Sequence, residues 1–222
     1  MVDLTQLPPA ELARHLGKPD GEVGLAVGLR INNINGNITA ETYRRLALAP
    51  GMDVIEIGFA NGHLLPGLIA HAPDIRYIGI DISATMVEEA RRFNAEMVAS
   101  GQAAFHLASA ERMPMADSSA DRVFAVNVIY FWPDAVAPLR EIRRALRPGG
   151  FSLIAATTPE TAAGNAVFTI ENGFHLRDAA ALVQLHEAAG FSKVTVELVT
   201  EVVKRPDGSP WTRHYNFVIA RP

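Results

Sequence analysis

The chain has 222 residues, of which 49% are hydrophobic and 20% charged, with a formal net charge of −4. It is somewhat longer than the roughly 100–200 residues of one domain, which suits one α/β domain with an added N-terminal segment better than two full domains. Cysteine is absent, excluding disulfides, a thiol nucleophile and cysteine metal sites, and an acidic balance with both signs interspersed does not advertise a phosphate-tracking protein, so no nucleic-acid partner is expected.

Met1 to Pro50 reads as short helical pieces broken by Pro8-Pro9, Pro19-Asp20-Gly21 and the polar run Asn32 to Asn37. That run is too polar and turn-rich for a core helix. It reads as part of a lid over a site or as an exposed connecting loop. Met1 to Leu12 lacks the basic start and apolar core of a signal peptide. No apolar run approaches the roughly 20 residues of a membrane span. A cytoplasmic location is the expectation.

After Pro50-Gly51, strand and helix candidates alternate. Met52 to Ile57 reads as a strand, His63 to His71 as a helix, and Arg76 to Ile80 as a strand. Ser83 is an N-cap for a helix to about Val98 that buries Met86, Val87, Ala90, Phe93 and Met97 at helical spacing. Ala103 to Leu107 is a short strand. Arg122 to Val126 is a nearly continuous apolar strand, the pattern of one covered on both faces. A helix follows from about Asp134 to Leu146; it buries Leu139, Ile142 and Leu146 and carries Arg140, Arg143, Arg144 and Arg147 on a solvated face. Pro148-Gly149-Gly150 turns the chain into the strand Phe151 to Ala156. A helix from about Arg177 to Ala189, a Gly190 stop and the strand Lys193 to Thr200 come next. Arg205 to Pro210 is strong turn chemistry, and Arg213 to Ala220 is the last strand.

This alternation implies right-handed βαβ units: a doubly wound, mostly parallel sheet. The last two strands have no helix between them and pair as a hairpin, giving one antiparallel strand at that edge. Ligands of such sheets lie beyond the carboxyl ends of the strands. Four segments fall there: Glu56 to Gly62, Asp81, Ser109-Ala110-Glu111, and Asn127 to Trp132.

Val54 to Gly62 is the most specific of these. An apolar strand stops beside Glu56, and a loop of small residues follows at once. Gly58 and Gly62 leave room for a ligand on the main chain. A carboxylate suits ribose hydroxyls and suits a phosphate badly, and the loop lacks the G-x-G-x-x-G spacing of a dinucleotide site. Asp81 ends the next strand, 25 positions after Glu56, where doubly wound folds grip a ribose. The loop points to a nucleoside.

Five motifs in order, from about Met52 to Phe151, resemble class I S-adenosylmethionine-dependent methyltransferases of the small-molecule type. Glu56 to Gly62 is similar to their E/D-x-G-x-G-x-G loop, and Gly79 to Ser83 to their second acidic strand end. Ala108 to Pro114 is similar to G-D-A-x-x-L-P, Asp121 to Phe124 to F-D-x-V, and Leu146 to Gly150 to L-K/R-P-G-G. The resemblance implies a Rossmann-like sheet of seven strands in residues 51–222, with residues 1–50 as a helical lid segment.

It also implies that Gly58, Ala60 and Gly62 approach the cofactor, with Glu56 beside its methionine end. Asp81 would bind the ribose and Ile82 pack on adenine. Ser109, Ala110 and Glu111 would lie at the adenine edge, and Asn127 would face cofactor and acceptor. Ala60 departs from the family's middle glycine. Ser109 stands where the family carries aspartate, so either its hydroxyl or Glu111 accepts from the adenine amino group.

Tyr130 and Trp132 are candidates to pack on an acceptor, or else core residues. His175 is a candidate base or acceptor contact, and His63 approaches the methionine part or simply opens a helix. No metal-ligand spacing appears. The expected activity is methyl transfer to a small-molecule acceptor. The competing readings are a non-catalytic S-adenosylmethionine binder and a nicotinamide-dependent oxidoreductase, the latter disfavoured by the glycine spacing and Glu56.

Overall fold

The computed structural model describes residues 2–204 and 208–222. Seven strands form one sheet in the order β3-β2-β1-β4-β5-β7-β6: β1 Asp53–Ile57, β2 Arg76–Asp81, β3 Ala103–Leu107, β4 Ala120–Val126, β5 Leu146–Thr157, β6 Lys193–Lys204 and β7 Pro210–Arg221. The first five are mutually parallel. The antiparallel strand is β7, which pairs with both β5 and β6 and so lies between them, leaving β6 outermost. The predicted turn at Arg205 to Pro210 falls partly outside the described residues; Gly208 to Pro210 lead into β7.

Eight helices cover the two faces: α1 Pro9–Gly17, α2 Gly21–Arg45, α3 Leu65–Ile69, α4 Ala84–Phe93, α5 Ala95–Ala99, α6 Val136–Ala145, α7 Pro159–Ala162 and α8 Ala179–Ala188. On one face Tyr43 and Leu46, Leu65, Leu68, Val87 and Ala90 pack against Val54, Tyr77, Phe124 and Leu153. On the other, Leu139, Ile142 and Leu182 pack against Ile55, Val123 and Ile154. Alternate residues of β1 and β4 thus feed opposite cores, which is why both strands read as unbroken apolar runs. Full burial of each such aliphatic contributes about 1.5–3 kcal/mol.

Several boundaries differ from the reading of the sequence. The Asn32 to Asn37 run is no loop: it lies inside the single 25-residue helix α2. Asparagine and glycine are weak helix formers, costing up to about 1 kcal/mol each. Tertiary contacts of the helix outweigh that penalty, and Val27 and Ile38 are fully buried at helical spacing. The helix predicted from His63 shrinks to Leu65–Ile69.

Ser83 does cap α4, its hydroxyl accepting from Met86 N at 3.1 Å, but the helix breaks at Asn94. Phe93, expected to be buried, is 40% exposed and packs edge-on against His63. The Leu146 to Gly150 segment is part of β5 rather than a turn before it, with a register irregularity opposite Ala120 and Arg122. Arg144 and Arg147 are not simply solvated: Arg144 pairs with Glu141 and Asp117, and Arg147 bridges Asp53 and Asp121. Among the described residues, no helix is long and apolar enough to cross a membrane.

Candidate active site

The strand order reverses between β1 and β4, so the connections leaving their carboxyl ends diverge and open a crevice there. A cavity of about 1390 Å³ occupies it. Its walls include the loop after β1, the ends of β2 and β3, Asn127 to Pro133, α2, the segment after α7 and the β6–β7 hairpin.

The loop after β1 is built for close approach. Gly58, Ala60 and Gly62 have φ of 73°, 53° and 68°. A Cβ on Gly58 would lie 2.4 Å from Val128 Cγ2, so no larger residue fits. Ala60 holds the same left-handed region at a cost of about 1–2 kcal/mol. Phe59 is buried in the core, edge-on to Phe105.

Two buried carboxylates stand behind this loop. Glu56 accepts a hydrogen bond from the Tyr77 hydroxyl at 2.7 Å. Burial pushes its carboxyl up to about 7, opposed by the Tyr77 bond and reinforced by Asp81. Burial likewise lifts Asp81 to about 6, while the backbone amides of Ser83, Ala60 and Ile82 hold it down; the Ser83 bond is 2.8 Å. Neither carboxylate forms an ion pair among the described residues. The Tyr43 hydroxyl on the same wall is buried without a partner. A cationic ligand that also offers an acceptor to Tyr43 would satisfy both deficits.

All ten predicted cofactor residues line the one cavity: Glu56, Gly58, Ala60, Gly62, Asp81, Ile82, Ser109, Ala110, Glu111 and Asn127. Ile82 is 45% exposed, an apolar side chain free to cover a flat ligand. Ser109 Oγ already accepts from Glu111 N at 3.2 Å, which leaves the Glu111 carboxylate as the stronger acceptor at that edge. Asn127 adopts φ of 57° and ties three elements. Its Oδ1 accepts from Thr157 N and Oγ1 at 2.9 Å each, and its Nδ2 donates to Asn35 Oδ1 on α2 at 3.2 Å.

The other candidates divide. Tyr130 lines the cavity and is buried among Phe131, Phe168 and Phe174. Burial pushes its phenol well above the ordinary range, so it stays protonated and is a donor or packing surface, not a base. Trp132 also lines the wall, whereas His63 and His175 do not. His175 instead donates its backbone N–H to Tyr130 O at 2.7 Å. No group of three or more His, Asp or Glu side chains among the described residues is placed to hold a metal ion.

Reading the sequence missed Tyr43, Thr157, Arg213 and Tyr215, all of which line the cavity, as does Asn35 from the asparagine run. A signal existed for Arg213: an arginine just ahead of Tyr215, Phe217 and Val218, which continue into the apolar core.

Residues 55–154 match the family model described as methyltransferase domain. An O-methyltransferase of Pyrenophora dematioidea is 33% identical over 112 residues, 50% of this chain and 42% of the relative. Methyltransferase GfsG of Streptomyces halstedii is 30% identical over 182 residues, 77% of this chain and 63% of the relative. The matches thus span less than two thirds of these relatives' own lengths. A solved SAM-dependent methyltransferase from Aquifex aeolicus shares the fold with a TM-score of 0.63 at 16% identity, covering 98% of this chain and 100% of that one. The glycine loop and both acidic strand ends fall within the matched residues 55–154, and the chain shares the fold of these methyltransferases.

Proposed function

We propose that the protein is an S-adenosylmethionine-dependent methyltransferase acting on an oxygen of a small-molecule acceptor, with residues 1–50 covering the site. The observation that carries this reading is the continuity of one cavity from the Gly58 to Gly62 loop and Asp81 to an aromatic and amide-lined far side. At about 1390 Å³ it exceeds the roughly 300–1,000 Å³ typical of a single-ligand pocket, as a site for two ligands should. The O-methyltransferase names of relatives support oxygen as the methylated atom. A net charge of −4 supports a small molecule over a nucleic acid.

The residues present fit the cofactor. Asp81, held by three backbone amides, presents a carboxylate to ribose hydroxyls. Glu56, buried without a cation, takes the methionine ammonium, and Tyr43 offers its orphan hydroxyl to the same end. The cofactor would supply a methyl already activated by a sulfonium. The protein's part is then alignment and exclusion of water, catalysis by proximity. Asn127 fixes the floor between β4 and β5, α2 shuts one side, and Tyr130 with Phe131 and Phe174 forms a dry wall. The high phenol of Tyr130 makes it a donor to an acceptor oxygen.

Calorimetry with S-adenosylmethionine and S-adenosylhomocysteine tests the reading, followed by mass spectrometry of a panel of hydroxylated acceptors. Binding of both nucleosides and gain of one methyl by an acceptor are expected. No binding by folded protein at high micromolar ligand would sink it. Tight binding without turnover over a wide panel would favour a non-catalytic binder.

A further inference from the structure

We infer that the methyl acceptor carries an oxyanionic group, such as a carboxylate, which binds where α2 meets the β6–β7 hairpin; this rests on the methyl-transfer reading above. The charged residues on the cavity wall are segregated by sign. Glu56, Asp81 and Glu111 stand at the ends of β1, β2 and β3, whereas Arg30, Lys204 and Arg213 belong to α2 and the hairpin.

Side-chain contacts set α2 against the hairpin. The Arg45 guanidinium pairs with Glu197 at 2.6 Å, and Asn37 Nδ2 donates to Glu201 Oε2 at 3.3 Å. Helix and strand therefore run alongside each other in opposite directions. A helix rises about 1.5 Å per residue and a strand about 3.3 Å. From the Asn37–Glu201 contact, seven residues back along α2 and three forward along β6 both cover about 10 Å. Arg30 is then level with the end of β6, where Lys204 also lines the cavity from the strand's other face. Arg213 lies about 10 Å back along the strands, opposite Glu201 in the β6–β7 register, and donates to Ile34 O at 3.1 Å.

Arg213 is 5% exposed, and its Nε is buried without a hydrogen-bond partner. One of its amino nitrogens pairs with Glu201 at 2.5 Å, and its guanidinium lies over the rings of Trp211 and Tyr215. Glu201 thus offsets one of the three positive charges. Arg30 and Lys204 have no ion pair among the described residues and keep their charge for a ligand. A cleft with low-dielectric walls concentrates such a field. The cofactor's sulfonium and ammonium match the acidic end, and its α-carboxylate is the one group on it that competes for these cations.

Two dyes of the same ring system test the assignment, anilinonaphthalene sulfonate and the uncharged N-phenylnaphthylamine, titrated by fluorescence into protein saturated with S-adenosylhomocysteine. The sulfonate should bind at least ~10-fold more tightly, a preference of about 1.4 kcal/mol. In the double variant Arg30→Gln/Lys204→Gln, two exposed positions, that ratio should fall toward one with the neutral dye unchanged. Equal affinities in the wild type, or a ratio that survives the substitutions, overturns the inference. So does a parallel loss of S-adenosylhomocysteine affinity by calorimetry, since the cations would then serve the cofactor. If folded wild-type protein binds no S-adenosylhomocysteine, the methyl-transfer reading itself fails, and the dye ratio reports separately on the cationic mouth.

Discussion

The two ends of the cavity are built in opposite ways. The acidic end comes from three strand ends and one tight loop, nearly all within residues 56–111, and its geometry is set by local backbone conformation: positive φ at Gly58, Ala60 and Gly62 and backbone amides on Asp81. The cationic end joins residues far apart in the chain, with Arg213 and Ile34 separated by 179 positions. It is held by side-chain bonds between a helix and a hairpin. Local geometry repeats between proteins that share a ligand; a wall made from distant segments varies freely. On the proposed function, the methyl donor is fixed by a short motif and the acceptor by long-range packing.

Substitutions separate the two ends, beginning with the largest expected effect. Gly58→Ala places a Cβ 2.4 Å from Val128 Cγ2 at φ of 73°. Strain and overpacking together should cost about 2–4 kcal/mol in chemical denaturation and abolish cofactor binding. Asn33→Pro tests whether the asparagine run is a helix. In mid-α2 it should cost about 3 kcal/mol, whereas a loop would tolerate it. Asp81→Ala should weaken S-adenosylhomocysteine binding by about 1.5–3 kcal/mol, the worth of hydrogen bonds to a charged group. Unchanged affinity would remove Asp81 from the ribose role.

The buried carboxylates give a pH test. Glu56, at about 7 against an ordinary 4.5, and Asp81, at about 6 against 3.8, are both raised in the folded protein. Between those limits the native state holds protons that the unfolded state has released. Their contribution to stability is therefore full below the ordinary values and is lost as pH rises toward 7. Ligand-free protein should unfold more readily at about pH 8 than at about pH 5, Glu56→Gln should flatten that slope, and affinity for the cationic cofactor should rise over the same interval. A pH-independent midpoint in the wild type would contradict the placement of these groups. The smallest effect expected is Ala60→Gly, a gain of about 1 kcal/mol by relief of the left-handed conformation, read as a raised denaturation midpoint.

How much was legible follows the same division. The Glu56 to Gly62 loop, Asp81 and the Ser83 cap could be read because their residue types answer to backbone geometry a few positions away. The asparagine run could not. Its composition argues for turns, and what keeps it helical lies elsewhere: Asn127 at the end of β4, Glu201 on β6 and Arg213 on β7. Tyr43 was hidden because a tyrosine in an amphipathic helix is ordinarily core, and its ring is core, edge-on to Phe124, while the residue also lines the cavity. The insertion of β7 between β5 and β6 was equally invisible, since a hairpin pattern does not say which of its strands docks on the sheet.

That insertion has a consequence for the order of assembly. Because β7 is the strand that pairs with β5, Arg213 and Tyr215 reach the cavity wall only when β7 docks. A ribosome that has completed the parallel core, through β5, has encoded every predicted cofactor contact and none of the hairpin wall. Contacts of such long sequence separation form late, after the entropy of closing the intervening loop has been met. In folding terms, and on the proposed function, the wall that would hold the methyl donor is in place before the wall that would choose a recipient.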